Sequence, residues 1–339
     1  MDYAEQLGKK KAFLSEAFLR AGVPTLADIP EIKVIPSRPF EYRNRIQLRR
    51  VPRGTENDVP RGKSRLRPLR PERAQPAAYG FMTRSGGKDG GKNGSRAVEI
   101  VPVNDCLTAD PLIRHALKNG RLIPPIDRDR FSVYGKDSTL LIEGRNSRGM
   151  ARMREKIIAM DAGVFFQSNG ALLELLIGDI LSVSKDADKK LAAADFYSGV
   201  GTFATFLQDD FQRIDLLESN KAALALYREN VKLKDARFFG QNDTVWARNS
   251  GKYIKKPYGF VIADPGRQGM GEAMLRFLGS NCEILCYVSC NPASLARDAA
   301  VLLNPAGNTG LKLVSLSFYD FYPQTKHIES LSVFIRPAP

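Results

Sequence analysis

The amino-acid sequence predicts an α/β protein with a C-terminal doubly wound, Rossmann-like domain, preceded by an N-terminal helix and a small, mostly antiparallel β-rich domain. Two observations carry most of that prediction. From Gly163 onward, apolar stretches of strand length alternate with helical segments, which is typical of a mainly parallel sheet. From about Ile32 to Ile158, short stretches of alternating polarity are divided by turn residues, which indicates antiparallel strands. We place the domain boundary between residues 1–162 and 163–339.

The chain opens with a stretch that predicts one amphipathic helix. Apolar residues within 3–21 recur at helical intervals, and Gly22 and Pro24 end the pattern. Residues 52–76 differ from everything around them, because they are rich in Pro, Gly and Arg and have almost no apolar periodicity. This composition indicates a mobile basic loop.

Charge is distributed unevenly along the 339 residues. Residues 1–150 hold 29 basic and 17 acidic side chains, whereas the remainder holds 22 and 20. The excess predicts a polyanionic partner for the first half, the alternative being a basic surface that only aids solubility. The candidates for phosphate contacts are Arg43, Arg45, Arg49 and Arg50. Their alternation along a predicted strand places only some of them on one face, and salt-bridged surface arginines are the competing interpretation.

Cysteine usage and the absence of targeting signals predict a cytoplasmic protein that does not contact a membrane. Four cysteines, unevenly spread, are too few for a disulfide scaffold of this size. The first residues lack the apolar segment of a secretory signal, and no apolar run approaches the roughly 20 residues that span a bilayer.

A glycine turn follows the first strand of the C-terminal domain. In DFYSGVGTF, Gly199 and Gly201 allow a ligand to approach the backbone where a helix begins. Glu218 closes the next predicted strand, where a carboxylate can accept hydrogen bonds from ribose hydroxyls. The pattern predicts an adenosine-binding half-site. It also fits the G-x-G-x-x-A dinucleotide fingerprint, and a turn without any ligand is a third interpretation.

Two further side chains stand at strand ends. Asp264 closes one predicted strand and Cys290 the next, so both should face the same crevice as the glycine turn. Cys282 and Cys286 precede Cys290 at intervals of four residues, which span about 13 Å along a strand. One metal ion cannot bridge that distance, so we expect no metal site and interpret these two cysteines as packing residues.

Six motifs, in this order and at these intervals, resemble the S-adenosylmethionine-dependent RNA uracil-5-methyltransferases, the family of the 23S rRNA and tRNA 5-methyluridine enzymes. They are FFQSNG, DFYSGVGTF, LLESN, ADPGRQG, YVSCNPASLARD and PQTKHIE. The resemblance covers residues 163–339 and extends into the central region through YRNRIQLRR and VEIVPVNDC. The pairing of SCNP with HIE is its most specific element.

The resemblance implies a covalent mechanism. Cys290 would add to C6 of uracil, which makes C5 nucleophilic towards the methyl group. Glu329 would then remove the C5 proton as general base. Asp264 would face the same base, and we interpret His327 as structural.

For S-adenosylmethionine, the resemblance implies contacts from the glycine turn at Gly199 and Gly201 and from six side chains. These are Gln167, Tyr197, Thr202, Glu218, Asn242 and Asp264. Thr202 stands where relatives often have Asn, and Asp243 is the alternative to Asn242. Gly266 replaces a usual proline, which should loosen its loop without removing Asp264.

A larger departure concerns an iron–sulfur cluster. Many relatives carry four cysteine ligands, three of them before the first helix in a segment ending CGGC, whereas this chain keeps only Cys106 in NDC. One remaining ligand cannot hold a cluster, so we expect none. Either this branch lacks the cluster or the chain is shortened at its amino terminus.

The sequence therefore predicts a cytoplasmic enzyme that methylates C5 of a flipped-out uridine in structured RNA and requires no protein partner. The 23S rRNA is the favoured substrate, since Cys106 and the central motifs are closer to that branch, and tRNA is the alternative. Two more distant alternatives are an NAD-dependent dehydrogenase, which explains the glycine turn but not Cys290 or Glu329, and a non-catalytic RNA-binding protein.

Overall fold

A computed structural model of the chain describes residues 1–23, 29–51, 79–84, 98–304 and 311–337. The predicted basic loop 52–76 lies outside the described residues. Within the described ranges, eight α-helices are present. They are α1 (Tyr3–Arg20), α2 (Pro111–Lys118), α3 (Gly170–Ser184), α4 (Thr202–Leu207), α5 (Lys221–Asn230), α6 (Asp243–Arg248), α7 (Glu272–Asn281) and α8 (Pro292–Leu302).

The same ranges contain fifteen strands. They are β1 (Ile32–Ile35), β2 (Arg45–Arg50), β3 (Tyr79–Arg84), β4 (Val98–Pro102), β5 (Arg130–Lys136), β6 (Thr139–Ile142), β7 (Arg148–Met153), β8 (Lys156–Asp161), β9 (Ala193–Phe196), β10 (Ile214–Leu217), β11 (Ala236–Phe239), β12 (Tyr258–Ala263), β13 (Cys282–Ser289), β14 (Lys312–Tyr319) and β15 (Glu329–Ile335).

Eight of these strands form the sheet of the larger compact unit, in the order β1-β14-β15-β13-β12-β9-β10-β11. Strands β9 to β13 pair in parallel. All residues of β9, β10 and β12 are buried, as expected for a parallel sheet covered by helices, whereas the residues of the outermost strand β11 are half-buried. The strand order reverses at β9. With right-handed crossovers, α4 and α5 therefore lie on one face, and α7 and α8 on the other. The predicted doubly wound α/β fold is confirmed.

Helix α1 belongs to this larger unit and packs against α8. Its buried Leu14 and Phe18 join a hydrophobic core that includes side chains of α6, α7 and α8. The predicted helix over 3–21 is thus confirmed to within one residue at its end. Its apolar stripe explains why it folds onto the sheet layer, because burying that face is what stabilises such a helix.

The sheet is antiparallel at one side. Strand β15 pairs antiparallel with both β13 and β14. The reason is the short connection between β14 and β15, residues 320–328, since a parallel crossover needs a dozen or more residues. The outermost strand β1 pairs in parallel with β14.

The second compact unit contains the predicted antiparallel sheet, five strands in the order β4-β3-β2-β5-β6. Helix α2 packs on β5, and the core beneath it includes Ile46, Leu48, Ile113 and Phe131. Asp110 caps α2 by accepting a hydrogen bond from the Leu112 amide at 2.9 Å.

The two compact units do not follow the predicted division at residue 162. The larger comprises Met1–Arg43, Gly149–Met160 and Val164–Pro339, and the smaller comprises Asn44–Arg148 and Asp161–Gly163. The difference arises because α1 and β1 pack into the large sheet layer, a long-range pairing that local patterns do not encode. No helix within the described ranges is long and apolar enough to cross a membrane.

Asn230 ties the glycine turn to the rest of the larger unit. Its side chain is buried; it donates to the carbonyl groups of Ala159 and Val200 at 2.9 and 2.8 Å, and it accepts from the Ala159 amide at 2.7 Å. Replacing this amide would leave three buried backbone groups without partners.

Asn230→Leu should therefore lower the free energy of unfolding by about 3 kcal/mol or more. Urea unfolding measures the effect, and Lys221→Leu, an exposed position on the same helix, serves as the control, with a change of about 0.5 kcal/mol or less. A loss no larger than that of the control would show that the three hydrogen bonds do not stabilise the fold.

Candidate active site

Three parallel strands end side by side and deliver the predicted site residues to one edge of the sheet. Ala263, the last residue of β12, pairs with Phe196 at the end of β9 and with Tyr287 near the end of β13. Asp264 and Cys290 are the next residues after β12 and β13. They consequently lie at neighbouring strand ends, as the sequence predicted.

Glu329 reaches the same edge through the antiparallel pairing of β15. Ser330 pairs with Ser289, and the Ser330 hydroxyl donates to the Ser289 carbonyl at 3.2 Å. One step further along this register, Glu329 stands opposite Cys290. Because β15 runs opposite to β12 and β13, it begins at the edge of the sheet where those strands end. Only this direction brings the Glu329 carboxylate to the Cys290 thiol.

A cavity of about 560 Å³ gathers these groups. It is lined by Gln167, Tyr197, Gly199 and Glu218 of the predicted cofactor set and by the predicted catalytic residues Asp264, Cys290 and Glu329. Tyr322 and His327 line it as well. All of them belong to the larger compact unit.

The Cys290 thiol is partly accessible, and its surroundings disfavour its ionisation. Its pKa is raised to about 11, first by burial and then by the charges of Glu329 and Asp264, while the Arg267 guanidinium opposes the shift. Cys290 also precedes Asn291, the N-cap of α8, where the helix dipole favours an anion. By contrast, Cys282 and Cys286 are fully buried in β13, where packing is the role that the sequence predicted for them.

The two carboxyl groups beside the thiol are held partly in their neutral forms. Burial raises the pKa of Asp264 to about 7, and a hydrogen bond from the Gln167 side chain opposes that rise. Burial and the charge of Asp264 raise the pKa of Glu329 well above its usual range. Glu329 is only 2% exposed, and its Oε1 has no hydrogen-bond partner among the described residues. This pair can hold and exchange a proton next to the thiol.

The glycine turn also lines this cavity. Tyr197 and Gly199 have positive φ angles of 62° and 55°, and a Cβ added at Gly199 would meet open space. The Gly199 amide donates to Glu218 Oε2 at 2.9 Å, and the Asn220 amide donates to Oε1 at 2.6 Å. Glu218 is thereby fixed at the cavity, and Gln167 adds a buried side-chain oxygen without a partner among the described residues. This donor and acceptor set fits an adenosine ligand.

Three predicted cofactor residues lie outside the cavity lining. Asn242 is exposed and caps α6 by accepting from the Val245 amide at 2.8 Å. Thr202 is the first residue of α4, and Gly201 at φ 79° packs against Tyr227, leaving 3.0 Å for an added Cβ. The structure places Asp243, the alternative to Asn242, next to the site, because it accepts from the Tyr197 hydroxyl at 2.8 Å.

The loop after Asp264 is fastened to the start of α8. Asn291 donates to the Arg267 carbonyl and Arg297 to the Gln268 carbonyl, both at 2.8 Å. The fully buried Asp298 accepts from the Met270 amide at 2.8 Å and from the Tyr287 hydroxyl at 2.7 Å. The loops that carry Asp264 and Cys290 are thus linked. The residues that link them belong to the motif YVSCNPASLARD, but the sequence did not predict this contact.

Sequence reasoning also missed Tyr322 and Arg267, which line the cavity. The ring of Tyr322 stands edge-on to His327, with centroids 5.7 Å apart. Burial lowers the pKa of His327, and the charges of Arg267 and Arg43 lower it further, so the imidazole is neutral at physiological pH. The sequence held one signal for Tyr322, namely its position seven residues before Glu329 in the run YDFYPQTKHIE.

The four arginines proposed for phosphate contacts divide between the units. Arg43 lines the cavity in the larger unit. Arg45 and Arg50 lie on β2 of the smaller unit, where Arg45 donates to the Ser132 hydroxyl at 3.1 Å and Arg50 donates to the Pro125 carbonyl. Arg49 on the same strand is half-buried.

Comparison with known proteins supports the resemblance that the six motifs indicate. An uncharacterised RNA methyltransferase of Treponema denticola is 32% identical over 251 residues, which are 69% of this chain and 60% of that protein. The 23S rRNA (uracil(1939)-C(5))-methyltransferase RlmD of Stenotrophomonas maltophilia is 31% identical over 173 residues, 50% of this chain and 38% of that protein. The chain is therefore similar to RNA methyltransferases, one of which is named for uracil C5. It spans 60% or less of the length of these curated relatives.

A solved structure shares the fold of the chain. The tRNA (uracil-54, C5)-methyltransferase of Pyrococcus abyssi, solved in complex with S-adenosyl-L-homocysteine, superposes with a TM-score of 0.66 at 20% identity. The match covers 99% of this chain and 84% of that structure. No family model matches the chain. The resemblance inferred from the six motifs is confirmed.

Asp195 should make the stability of the protein fall as pH rises. It is fully buried at the end of β9 and accepts from the Ala204 amide at 3.0 Å. Burial raises its pKa to about 8, against about 3.9 in an unfolded chain. Between those values the folded state keeps a proton that the unfolded state has released, so rising pH favours unfolding.

Asp195→Asn removes this titration. The unfolding free energy of the variant relative to wild type should increase between pH 5 and pH 8 by up to about 1.4 kcal/mol per pH unit. Urea unfolding at three pH values measures it, with the exposed Glu272→Gln as a control that keeps the wild-type slope. Equal slopes for wild type and Asp195→Asn would contradict a neutral buried Asp195.

Proposed function

We propose that the protein transfers a methyl group from S-adenosylmethionine to C5 of a uridine in RNA, through a covalent bond between Cys290 and C6 of the base. The observation that carries the proposal is that one cavity is lined by Cys290, Asp264 and Glu329 together with the glycine turn and Glu218. Neither a dehydrogenase nor a passive RNA-binding protein accounts for a thiol flanked by two carboxyl groups of raised pKa.

The first step is addition of the thiol sulfur to the base. The Cys290 S–H proton passes to solvent water, the S–C6 bond forms, and the C5–C6 π electrons move onto C5 and the O4 carbonyl as an enolate. A thiol with a pKa near 11 is ionised to only a small extent at neutral pH, so this step needs local help. The Arg267 guanidinium and the N-terminus of α8 favour the thiolate, and a neutral Glu329 weakens the repulsion that opposes it. Glu329 then releases its own proton to solvent water before it acts as base in the last step.

The last step is removal of the C5 proton. After C5 carries the methyl group, the Glu329 carboxylate takes the remaining C5 proton, the C5–C6 double bond forms again, and the S–C6 bond breaks to release the Cys290 thiolate. The buried position of Glu329 raises its pKa, which makes it a stronger base than an exposed glutamate. Its Oε1, without a partner among the described residues, is available to the substrate.

The residues that would hold S-adenosylmethionine are Gln167, Tyr197, Gly199, Glu218 and Asp264. When bound, this molecule supplies an electrophilic methyl group to C5. Glu218 is already held by two backbone amides and would accept the ribose hydroxyls, and the open space at Gly199 leaves the backbone accessible. Asp264 and Gln167 line the same cavity as Cys290 and are hydrogen-bonded through their side chains, so they can orient both the ligand and the base.

RNA is the polyanion that the basic first half would bind. A base must leave the helical stack to reach the cavity, at a cost of a few kcal/mol that phosphate contacts can offset. Of the four candidate arginines, Arg43 is the one that lines the cavity. We favour 23S rRNA because relatives such as that of S. maltophilia carry this name. The fold neighbour from P. abyssi, named for tRNA, makes tRNA the alternative substrate.

The decisive experiment uses RNA containing 5-fluorouridine. Fluorine at C5 cannot leave as a proton, so addition and methyl transfer should yield a trapped protein–RNA adduct that survives denaturing electrophoresis. The adduct should require S-adenosylmethionine, be absent with NAD, and disappear in Cys290→Ala, while Cys106→Ala forms it normally. Separate 23S rRNA and tRNA arms identify the substrate. The absence of an adduct with either RNA would refute the covalent mechanism.

Glu329→Gln should separate the two halves of the reaction. The amide cannot take the C5 proton, so ordinary RNA should be methylated once and remain attached to Cys290, with turnover reduced by about 100-fold or more. Gel analysis and methyl incorporation from radiolabelled S-adenosylmethionine measure adduct and product on the same sample. Glu283→Gln, a carboxylate away from the cavity, is the matched control. Wild-type turnover by Glu329→Gln would remove Glu329 from the role of base.

A further inference from the structure

Helix α1 carries a lysine where its own pattern calls for an apolar side chain. Lys10, Leu14 and Phe18 follow one another at intervals of four residues and form the buried stripe of the helix. Lys10 is only 6% exposed. Burying an ammonium group is costly unless a partner compensates it, so the position of Lys10 points to a specific contact rather than to general packing.

That contact is the segment between β14 and β15. Lys10 Nζ donates to Asp320 Oδ1 at 2.7 Å and to the Tyr322 carbonyl at 3.0 Å. Asp320 is fully buried. One turn earlier on α1, Gln6 Nε2 donates to Gln324 Oε1 at 2.9 Å, and the Gln324 amide donates back to Gln6 Oε1 at 3.1 Å. Gln324 has a positive φ of 62°, so a strained turn is held by this pair.

The same segment forms the wall of the cavity behind the thiol. The Tyr322 carbonyl is bound by Lys10, while the Tyr322 side chain lines the cavity. His327 lines it five residues later, and the segment ends at Glu329. Tyr42 supports the segment as well, because its hydroxyl donates to the Pro323 carbonyl at 2.8 Å. The start of the chain is therefore hydrogen-bonded to the residues that lead into the general base.

We propose that α1 holds the β14–β15 connection in its working geometry and that Lys10, acting through Asp320 and Tyr322, is a positioning residue for Glu329. This inference rests on the proposed function and extends it to a part of the chain that contributes nothing to the cavity itself. Positioning should affect proton removal from C5 more than addition of Cys290, because Cys290 is anchored separately at the start of α8.

The test compares four variants. Lys10→Met combined with Asp320→Asn removes the pair without leaving a buried unpaired charge. Lys10→Arg keeps the positive charge and should restore wild-type behaviour in part. Lys9→Met is the matched control, because Lys9 is the adjacent lysine, is exposed and pairs only with Glu5 at 2.7 Å among the described residues. Gln6→Ala changes a half-buried residue and weakens the same attachment should the double variant fold poorly.

Two readouts are taken on each variant. Hydrogen exchange should show amides 321–329 exchanging about tenfold faster in the double variant, without a matching change in α8. In single turnover on ordinary RNA, release of the adduct should slow about 10- to 100-fold, while adduct formation with 5-fluorouridine RNA should change by less than about threefold. Gln6→Ala should show both effects in smaller measure, and Lys9→Met neither.

Unchanged exchange and unchanged release in the double variant would overturn the proposal, and so would an equal slowing of addition and release. Failure of the proposed function has a different signature, because wild type would then form no adduct with any RNA. In that case hydrogen exchange still decides whether Lys10 orders the segment. Unaltered exchange in both the double variant and Gln6→Ala would then refute the attachment itself.

Discussion

The chemistry of this site depends on one strand pairing, the antiparallel contact of β15 with β13. Parallel strands gather the residues that follow them at one edge of the sheet, so Asp264 and Cys290 become neighbours. Glu329 is the first residue of its strand, so it can reach that edge only if β15 runs in the opposite direction. The Ser289–Ser330 register supplies that condition and sets Glu329 opposite Cys290. The short β14–β15 connection requires β15 to run antiparallel, so the length of this loop determines the position of Glu329, the proposed proton acceptor.

The proposed mechanism places two opposed electrostatic demands on the site. In it, a thiol loses its proton beside two carboxyl groups, and one of those groups later accepts a proton. Burial raises the pKa of Asp264 and Glu329, so neither needs to be charged while the thiolate forms, and Glu329 would release its proton before it acts as base. Arg267 and the start of α8 act in the same direction on the sulfur. The raised pKa values are consistent with the proton movements that the proposal requires.

Several polar side chains of the larger unit hold the loops around this site in place. Asp298 and Asn291 fasten the loop after Asp264 to α8, Asn230 fastens the glycine turn, and Lys10 fastens the segment before Glu329. Each of these residues uses a buried or partly buried polar side chain to bind backbone groups of a loop. Such attachments keep reacting groups within the small tolerances that catalysis requires. They also explain why many polar residues are buried near the sheet edge without lining the cavity.

The sequence by itself determined the doubly wound fold, helix α1, the six motifs and the presence of Glu218, Asp264 and Cys290 at strand ends. These follow from local periodicity and from the geometry of parallel sheets, in which strand ends gather at one edge. Only the tertiary structure decided that β1 joins the large sheet, that Asn242 caps a helix while Asp243 meets Tyr197, and that Lys10 pairs with Asp320. The physical reason is that strand partners, register and the partners of buried charges are fixed by contacts between residues far apart in the chain. Lys10 and Asp320 lie 310 positions apart, and no local pattern records such a pair.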